Sequence, residues 1–449
     1  EPYRRQRQLC IRDRYVVNGT FRYEGSNQMG RTTKARWMPT WNLSGAWNVH
    51  EESFFPKLKP LSSLTFRVSY SLTGTPPDAA YCNALTKLSM NTPYRPTTTD
   101  KELGFVVAAL GNDELTYEKK HEFNFGVDAG FFNNRLNVTF DVYQRRNFDE
   151  IAPTVTQLYG TAYANVGSMK SWGEELSISS TNIKTQDFSW QTSLIYSHNR
   201  TEITDLYNQG RVIDLVQGNG FAKQGYPARA LFSIPFVGIN EKGYPVCINE
   251  KGQATVGNLN FQERDNTDYL IYEGSTDPVY NGSLGNTFNY KGFHLNVFLT
   301  YAFGNVVRLD PAFSAKYNDL TSMTHDFKNR WMQPGDENVT NVPGVVSRYE
   351  YEQNSTLLAT AYNAYNYTSV RTAKGDFIRL KEISLAYDFP HRWFEKSPVN
   401  NISLKLQATN LMLLYADKKL NGQDPEFMNA GGVASPMPKQ FTLTLKLGL

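Results

Sequence analysis

The chain has 449 residues, a formal net charge of +3 and 20% charged residues, and it carries 27 Tyr, 27 Phe and 7 Trp. Mean hydropathy is −0.49 and no apolar run approaches the ~18–20 residues of a membrane helix, which excludes a helical membrane protein; the aromatic content excludes a disordered chain. The balanced charge without a long basic run gives no support to nucleic-acid binding, and Cys10, Cys82 and Cys247 are too few and too scattered for a zinc site or a disulfide scaffold.

Residues alternating between apolar and polar mark the predicted strands. Tyr15, Val17, Gly19, Phe21 and Tyr23 form the first apolar face. Residues 1–11, led by Arg4, Arg5, Gln6 and Arg7, do not follow the pattern. Trp41, Leu43, Gly45, Trp47 and Val49 come next, then Leu64, Phe66, Val68, Tyr70 and Leu72. Phe123 to Phe131 and Leu136 to Val142 are the arms of a hairpin turning at Asn133-Asn134, with Asn124, Gly126, Asp128, Asn137, Thr139 and Asp141 on its other face. Leu176 and Ile178 turn at Asn182–Asp187 into Phe188 to Tyr196. Leu284 to Tyr290 turn at Lys291-Gly292 into Phe293 to Phe303. Ile383 to Phe389 pass through Pro390–Pro398 into Ile402 to Ala408, and Phe441 to Leu449 is the last strand.

About twelve strands of ~10 residues each are the length that crosses a bilayer at a tilt. Short turns alternate with long polar connections at Thr75–Tyr117, Asn147–Ser171, Thr201–Val279, Asn305–Lys374 and Leu411–Gln440, the pattern of a transmembrane barrel with its long loops outside. Aromatic residues at strand ends, such as Trp41, Trp47, Tyr290 and Phe293, fit interfacial girdles, and the Asn, Thr, Ser, Asp and Lys face fits a wet lumen. The fold class is therefore all-β, an antiparallel transmembrane β-barrel in contact with outer-membrane lipid. A soluble β-protein would alternate too, but would bury one face in a core.

Catalytic candidates are absent from this reading. The six histidines stand singly: His121 and His198 fall in lipid-facing registers, and His294 faces the lumen near Asn296 with no nucleophile placed beside it. Asp265 and Asp268, with Glu273, are weak candidates for calcium because the twelve-residue calcium-loop pattern is missing. Gly218-Asn219-Gly220 is not followed by a helix signal, so it does not read as a phosphate cradle. No cofactor is expected.

A series of short motifs, in order along the chain, carries a resemblance. They are Asp13-Arg14-Tyr15 through Tyr23-Glu24-Gly25-Ser26, Trp41-Asn42-Leu43-Ser44-Gly45-Ala46-Trp47, Gly111-Asn112-Asp113-Glu114-Leu115-Thr116-Tyr117-Glu118-Lys119, and Asn165-Val166-Gly167 with Gly173-Glu174-Glu175. Phe377-Ile378-Arg379-Leu380-Lys381-Glu382 through Phe389-Pro390, Thr409-Asn410-Leu411, Asp424-Pro425-Glu426 and a closing Gly448-Leu449 complete it. The chain resembles the C-terminal part of a SusC/RagA-type TonB-dependent outer-membrane transporter. The resemblance implies about the last 12 of 22 strands, with residues 1–449 as one portion of the barrel. Its plug, TonB box and N-terminal strands would lie elsewhere in a longer protein.

The family's function would be active import of a large nutrient, oligopeptide or oligosaccharide, across the outer membrane of a Gram-negative bacterium. Its partners would be a SusD/RagB-like surface lipoprotein acting as a lid and the TonB complex, reached through the absent N-terminal region. Dimers of transporter–lipoprotein pairs are compatible with that arrangement. The segment Tyr23–Glu52 looks closer to the peptide-importing RagA branch, so oligopeptide is favoured over glycan. Contact candidates for substrate or lid are Trp331, Tyr349, Tyr351, Tyr362, Tyr365 and Tyr367, since rings suit sugar faces and peptide side chains alike; the competing reading is that they pack the loops. Arg379, Lys381 and Glu382 are expected as polar groups of the lumen or rim. The alternatives are a complete twelve-strand outer-membrane barrel enzyme and a β-rich surface adhesin.

Overall fold

The computed structural model describes residues 3–11, 13–27, 29–55, 60–76, 86–91, 104–156, 160–317, 320, 322–395, 398–428 and 438–448. The chain divides into two compact bodies, Glu1–Leu176 with Asn199–Asn208, and Ser177–His198 with Gln209–Leu449. Thirteen long strands are hydrogen-bonded in chain order, and every pair whose register is defined is antiparallel. No helix among the described residues is long and apolar enough to cross a membrane, which says nothing of strands.

The first body contains β1 (Tyr3–Ile11), β2 (Tyr15–Gly25), β3 (Trp37–Asn48), β4 (Leu61–Thr75), β5 (Glu118–Phe131) and β6 (Leu136–Thr156). Two further strands, β7 (Gly160–Lys184) and β8 (Phe188–Asp205), run from it into the second. Tyr15, Val17, Phe21 and Tyr23 of β2, Leu43 and Trp47 of β3, Val68 and Tyr70 of β4 and Phe123 of β5 are exposed, as side chains that face lipid must be. Across the sheet, Arg67 of β4 binds Asp128 of β5 at 2.7 Å and Asp141 of β6 at 3.0 Å, and the Thr139 hydroxyl donates to Asp128 at 2.9 Å. One face is thus apolar and the other ionic, as period-two patterning requires. The β5–β6 hairpin turns through Phe132, Asn133 and Asn134, all at positive φ, where Asn is the best-tolerated side-chain-bearing residue.

The second body adds β9 (Tyr280–Tyr290), β10 (Phe293–Phe303), β11 (Phe377–Asp388), β12 (Asn401–Ala416) and β13 (Gln440–Gly448). Two rows of rings mark its limits. At the short-turn end, Phe293 lies 4.4 Å from Tyr387, which lies 5.0 Å from Phe389, itself 5.8 Å from Trp393. At the loop end, Tyr301, Phe303 and Tyr415 follow one another at 5.6 and 6.5 Å. The 11 residues of β9 rise about 34 Å along the strand, hence about 24 Å across a bilayer at a tilt of roughly 45°. That matches an apolar band of about 25 Å bounded by aromatic girdles.

The structure differs from the sequence-based expectation in three respects. Residues 3–11 are a strand: β1 pairs with β2 from Tyr3↔Tyr23 to Ile11↔Tyr15, through backbone bonds that a run of Arg and Gln does not advertise. The sheet therefore has thirteen strands, one more than the alternation reveals. Asn147–Ser171 is not a long loop, because β6 and β7 extend to 21 and 25 residues and occupy it except at residues 157–159, which lie outside the described set. Finally, the connection between β10 and β11 carries two helices, α3 (Arg348–Gln353) and α4 (Ser355–Asn366). Two shorter helices, α1 (Thr33–Arg36) and α2 (Val212–Val216), precede them in the chain. Cys82 and Leu449 fall outside the described residues.

Candidate functional site

The described residues of three connections in the second body, within 209–279, 304–376 and 417–428, build a folded mass at the loop ends of the strands. Its centre is α4. Ser347 is the N-cap of the preceding helix, its hydroxyl accepting the Glu350 amide at 3.2 Å and donating to the Glu350 carboxylate at 3.0 Å. Leu358, Ala361, Tyr362 and Tyr365, spaced for one helical face, pack with Phe313, Ala315 and Val346. Ala364 packs instead with Val212, Leu215, Phe232, Ile234 and Cys247, so the helix joins two apolar clusters. Burial pushes the Cys247 thiol up to about 12, which leaves it unreactive.

Arginines tie the connections together. The Arg308 side chain is buried and donates to the carbonyls of Val216 (3.2 Å), Thr368 (2.8 Å) and Phe232 (2.6 Å) and to the Ser233 hydroxyl (3.0 Å). Burial lowers it to about 10, so it remains charged at neutral pH, neutralised by dipoles. Arg371 donates to Asp326 (3.3 Å) and to the Asp310 carbonyl (3.0 Å) and lies over the Phe313 ring at 4.9 Å. Asn421 of the last connection donates to the same Asp326 at 3.2 Å. Arg379 of β11 holds Asp424 at 2.7 Å and Glu426 at 3.0 Å.

Between these posts lies a cleft of about 630 Å³. Leu309, Pro311, Ala312, Met323, Tyr367 and Met428 supply its apolar lining, and Gln217, Asn219, Asp310 and Gln423 its polar groups. Apart from Tyr367, and Asn219 in the rejected phosphate-cradle motif, none of these was singled out from the sequence, because loop residues brought together from three connections share no period.

The expected contact residues are dispersed. Tyr349 is 73% exposed on α3, and Tyr351 is half-buried against the α4 cluster. Trp331 packs on Gly243 and Gly344, with its indole donating to Glu337 at 3.0 Å. Tyr367 is half-buried, edge-on to Phe261 at 6.2 Å, and lines the cleft. Tyr362 and Tyr365 are a correction: they are 1% and 2% exposed, and the Tyr362 hydroxyl donates to the Gly344 carbonyl. These two rings form the interior of the loop mass and present no face to a ligand, the packing alternative noted above. Arg379 is buried in its ion pair with Asp424, while Glu382 takes the Asn296 amide at 3.5 Å and stands 4.0 Å from Lys405. Lys381 is half-buried.

Asp268 pairs with Lys223 at 3.0 Å, and the Asp265 amide donates to Glu263 at 2.9 Å. Among the described residues no group of three or more His, Cys, Asp or Glu is disposed to hold a metal. His294 contacts Asp388 at 2.9 Å and Asn289 at 2.6 Å; both ring nitrogens are engaged, which leaves neither for a nucleophile.

In the first body the motif Gly111–Lys119 is fastened by Asn165. That side chain donates to the carbonyls of Thr116 (2.9 Å) and Asp149 (2.6 Å) and accepts the Thr116 amide at 2.9 Å. Asn112 donates to the Tyr163 carbonyl at 2.9 Å, and Leu115 and Tyr117 bury against Met29 and Met38. The two motifs are halves of one tie.

The family profile described as TonB dependent receptor-like, beta-barrel matches residues 6–314, more than half of the chain. The chain belongs to that family. Its members are outer-membrane β-barrels. Among relatives, TonB-dependent receptor SusC of Bacteroides thetaiotaomicron is 26% identical over 97% of this chain and 42% of its own length. TonB-dependent receptor P3 of Formosa agariphila is 25% identical over 92% of this chain and 40% of its own length. The chain thus spans less than half the length of these relatives. The RagAB peptide importer in its open–open state shares the fold, with a TM-score of 0.78 at 22% identity over 100% of this chain and 46% of that one. The RagAB peptide transporter structure gives 0.76 at 22% identity, covering 99% and 47%.

Proposed function

We propose that this barrel portion forms the wall and outer rim of an importer that takes a large nutrient, oligopeptide in preference to glycan, across the outer membrane. A SusD/RagB-like lipoprotein closes over the loop mass, and TonB drives the passage through segments that the longer relatives carry beyond the matched part. The observation that carries this reading is the joint presence of an apolar face bounded by two aromatic rows and a folded mass of three tied loops at one end. The likeness to SusC, and to the RagAB peptide transporter in fold, supports it.

In this reading the barrel supplies shape and a water-filled path, and the energised step lies elsewhere. The test is uptake of labelled peptide and glycan mixtures by cells carrying the full-length protein, with and without functional TonB. Isolation of the protein in mild detergent should bring a surface lipoprotein with it. Uptake that persists unchanged without TonB would remove the proposal, and glycan-only uptake would reverse the substrate preference.

A further inference from the structure

We propose that the cleft among the three tied loops is a subsite for the amino-terminal end of an apolar peptide; the proposal rests on the import reading and gives it a place. The cleft's volume of about 630 Å³ falls within the range of ligand pockets. Its floor is made by Leu309, Pro311, Met323 and Met428, and methionines mould themselves to varied apolar side chains. Tyr367 is the one ring among the described lining residues, which is poor provision for the flat face of a sugar.

Charge decides the polarity of the ligand. Arg308 lines the cleft only while its guanidinium is committed to three carbonyls and a hydroxyl, and Arg371 nearby is committed to Asp326 and the Asp310 carbonyl. Both side chains are buried, and the unpartnered Arg371 Nε is itself shut away from solvent, so neither guanidinium extends a free donor to a carboxylate. Asp310 is also a lining residue; its backbone carbonyl takes the Arg371 bond, and among the described residues its carboxylate has no hydrogen-bond donor or cation of its own. An uncommitted anion beside an apolar floor suits an ammonium group carried next to an apolar side chain. The side-chain amides of Asn219 and Gln423 are also without a partner among the described residues, and such groups can both donate to and accept from a peptide main chain. A free α-ammonium followed by apolar residues meets all three demands.

The test uses the full-length protein in detergent and three probes: Leu-Leu-Leu with a free amino terminus, its N-acetylated form, and maltotriose. The free tripeptide should bind saturably, and acetylation should weaken it about tenfold or more through loss of a charge-assisted contact. Asp310→Asn should weaken the free tripeptide by a similar factor and leave the acetylated one unchanged. Ser322→Trp, placed at an exposed lining position, should abolish binding of both. Wild-type affinity in both variants, absence of tripeptide binding by the wild type, or tighter binding of maltotriose would overturn the subsite. Uptake measured in the same variants separates the two levels: TonB-dependent uptake that is unaffected by them rejects the subsite alone, whereas uptake independent of TonB rejects the import reading.

Discussion

Asp424→Asn should release the last loop from the strand that anchors it. The Asp424 and Arg379 side chains are 3% and 5% exposed, with both carboxylate oxygens 2.7 Å from one guanidinium nitrogen. Removing Asp424 leaves the buried Arg379 with only the half-exposed Glu426 as counter-charge and costs up to about 3–5 kcal/mol. At about 1.4 kcal/mol per tenfold change, local opening of residues 417–428 becomes up to roughly two to three and a half orders of magnitude more frequent. Glu426 also touches Arg379, at 3.0 Å, but its side chain is 44% exposed, so Glu426→Gln should cost under about 1 kcal/mol. Amide hydrogen exchange of the full-length protein in detergent, read over this loop and over the β9–β10 hairpin as an internal control, measures the difference. Equal protection in Asp424→Asn and wild type, or an equal loss in Glu426→Gln, would refute the view that the buried pair holds the loop.

Other expectations concern the loop mass. Tyr362→Ala should destabilise it by about 3–5 kcal/mol and Tyr362→Phe by about 1 kcal/mol, whereas Tyr349→Ala should stay within about 0.5 kcal/mol; exchange over α4 checks the order, and equal effects at the two tyrosines would contradict the assigned burial. The Arg211 side chain holds the Asp214 carboxyl below its usual range. Because the folded value is depressed, that contribution is present above the ordinary carboxylate value and is lost as pH falls through the lower one. Protection of α2 should therefore drop in acid below about pH 4, and Asp214→Asn should abolish this step. Cys247, with the other two cysteines replaced by serine, should resist iodoacetamide at pH 8 in the folded protein and react once unfolded; rapid reaction when folded would contradict its burial.

The barrel was legible because lipid and water impose opposite demands on alternate residues. Phe123, Phe125 and Val127 against Asn124 and Asp128, with Asn133-Asn134 at the turn, leave little choice of register. β1 was illegible since Arg4, Arg5, Gln6 and Arg7 do not alternate, and its identity rests on hydrogen bonds to β2 that sequence period does not encode. β6 and β7, at 21 and 25 residues, are about twice the ~10 that cross a bilayer, so part of each lies where no lipid enforces alternation, and Asn147, Asp149 and Glu150 look like loop although they are strand. For α4 the signal existed in Ser347-x-x-Glu350 followed by Leu358, Tyr362 and Tyr365. Expecting exposed loop aromatics concealed a helical face. Of the cleft lining, the sequence drew attention to Tyr367 but not to Asp310, Met323, Gln423 and Met428, because these meet only after three connections have folded.

The arginine posts also bear on the thermodynamics of capture. A ligand that must order flexible side chains as it binds gives up about 0.5–1.5 kcal/mol for each one. Here Arg308, Arg371 and Arg379 have fixed the three connections before any ligand arrives, so that loss is met during folding and not at each encounter. Under the proposed import role, affinity for cargo can then stay modest and readily reversible, as release requires, while selectivity is kept by a surface that is already shaped.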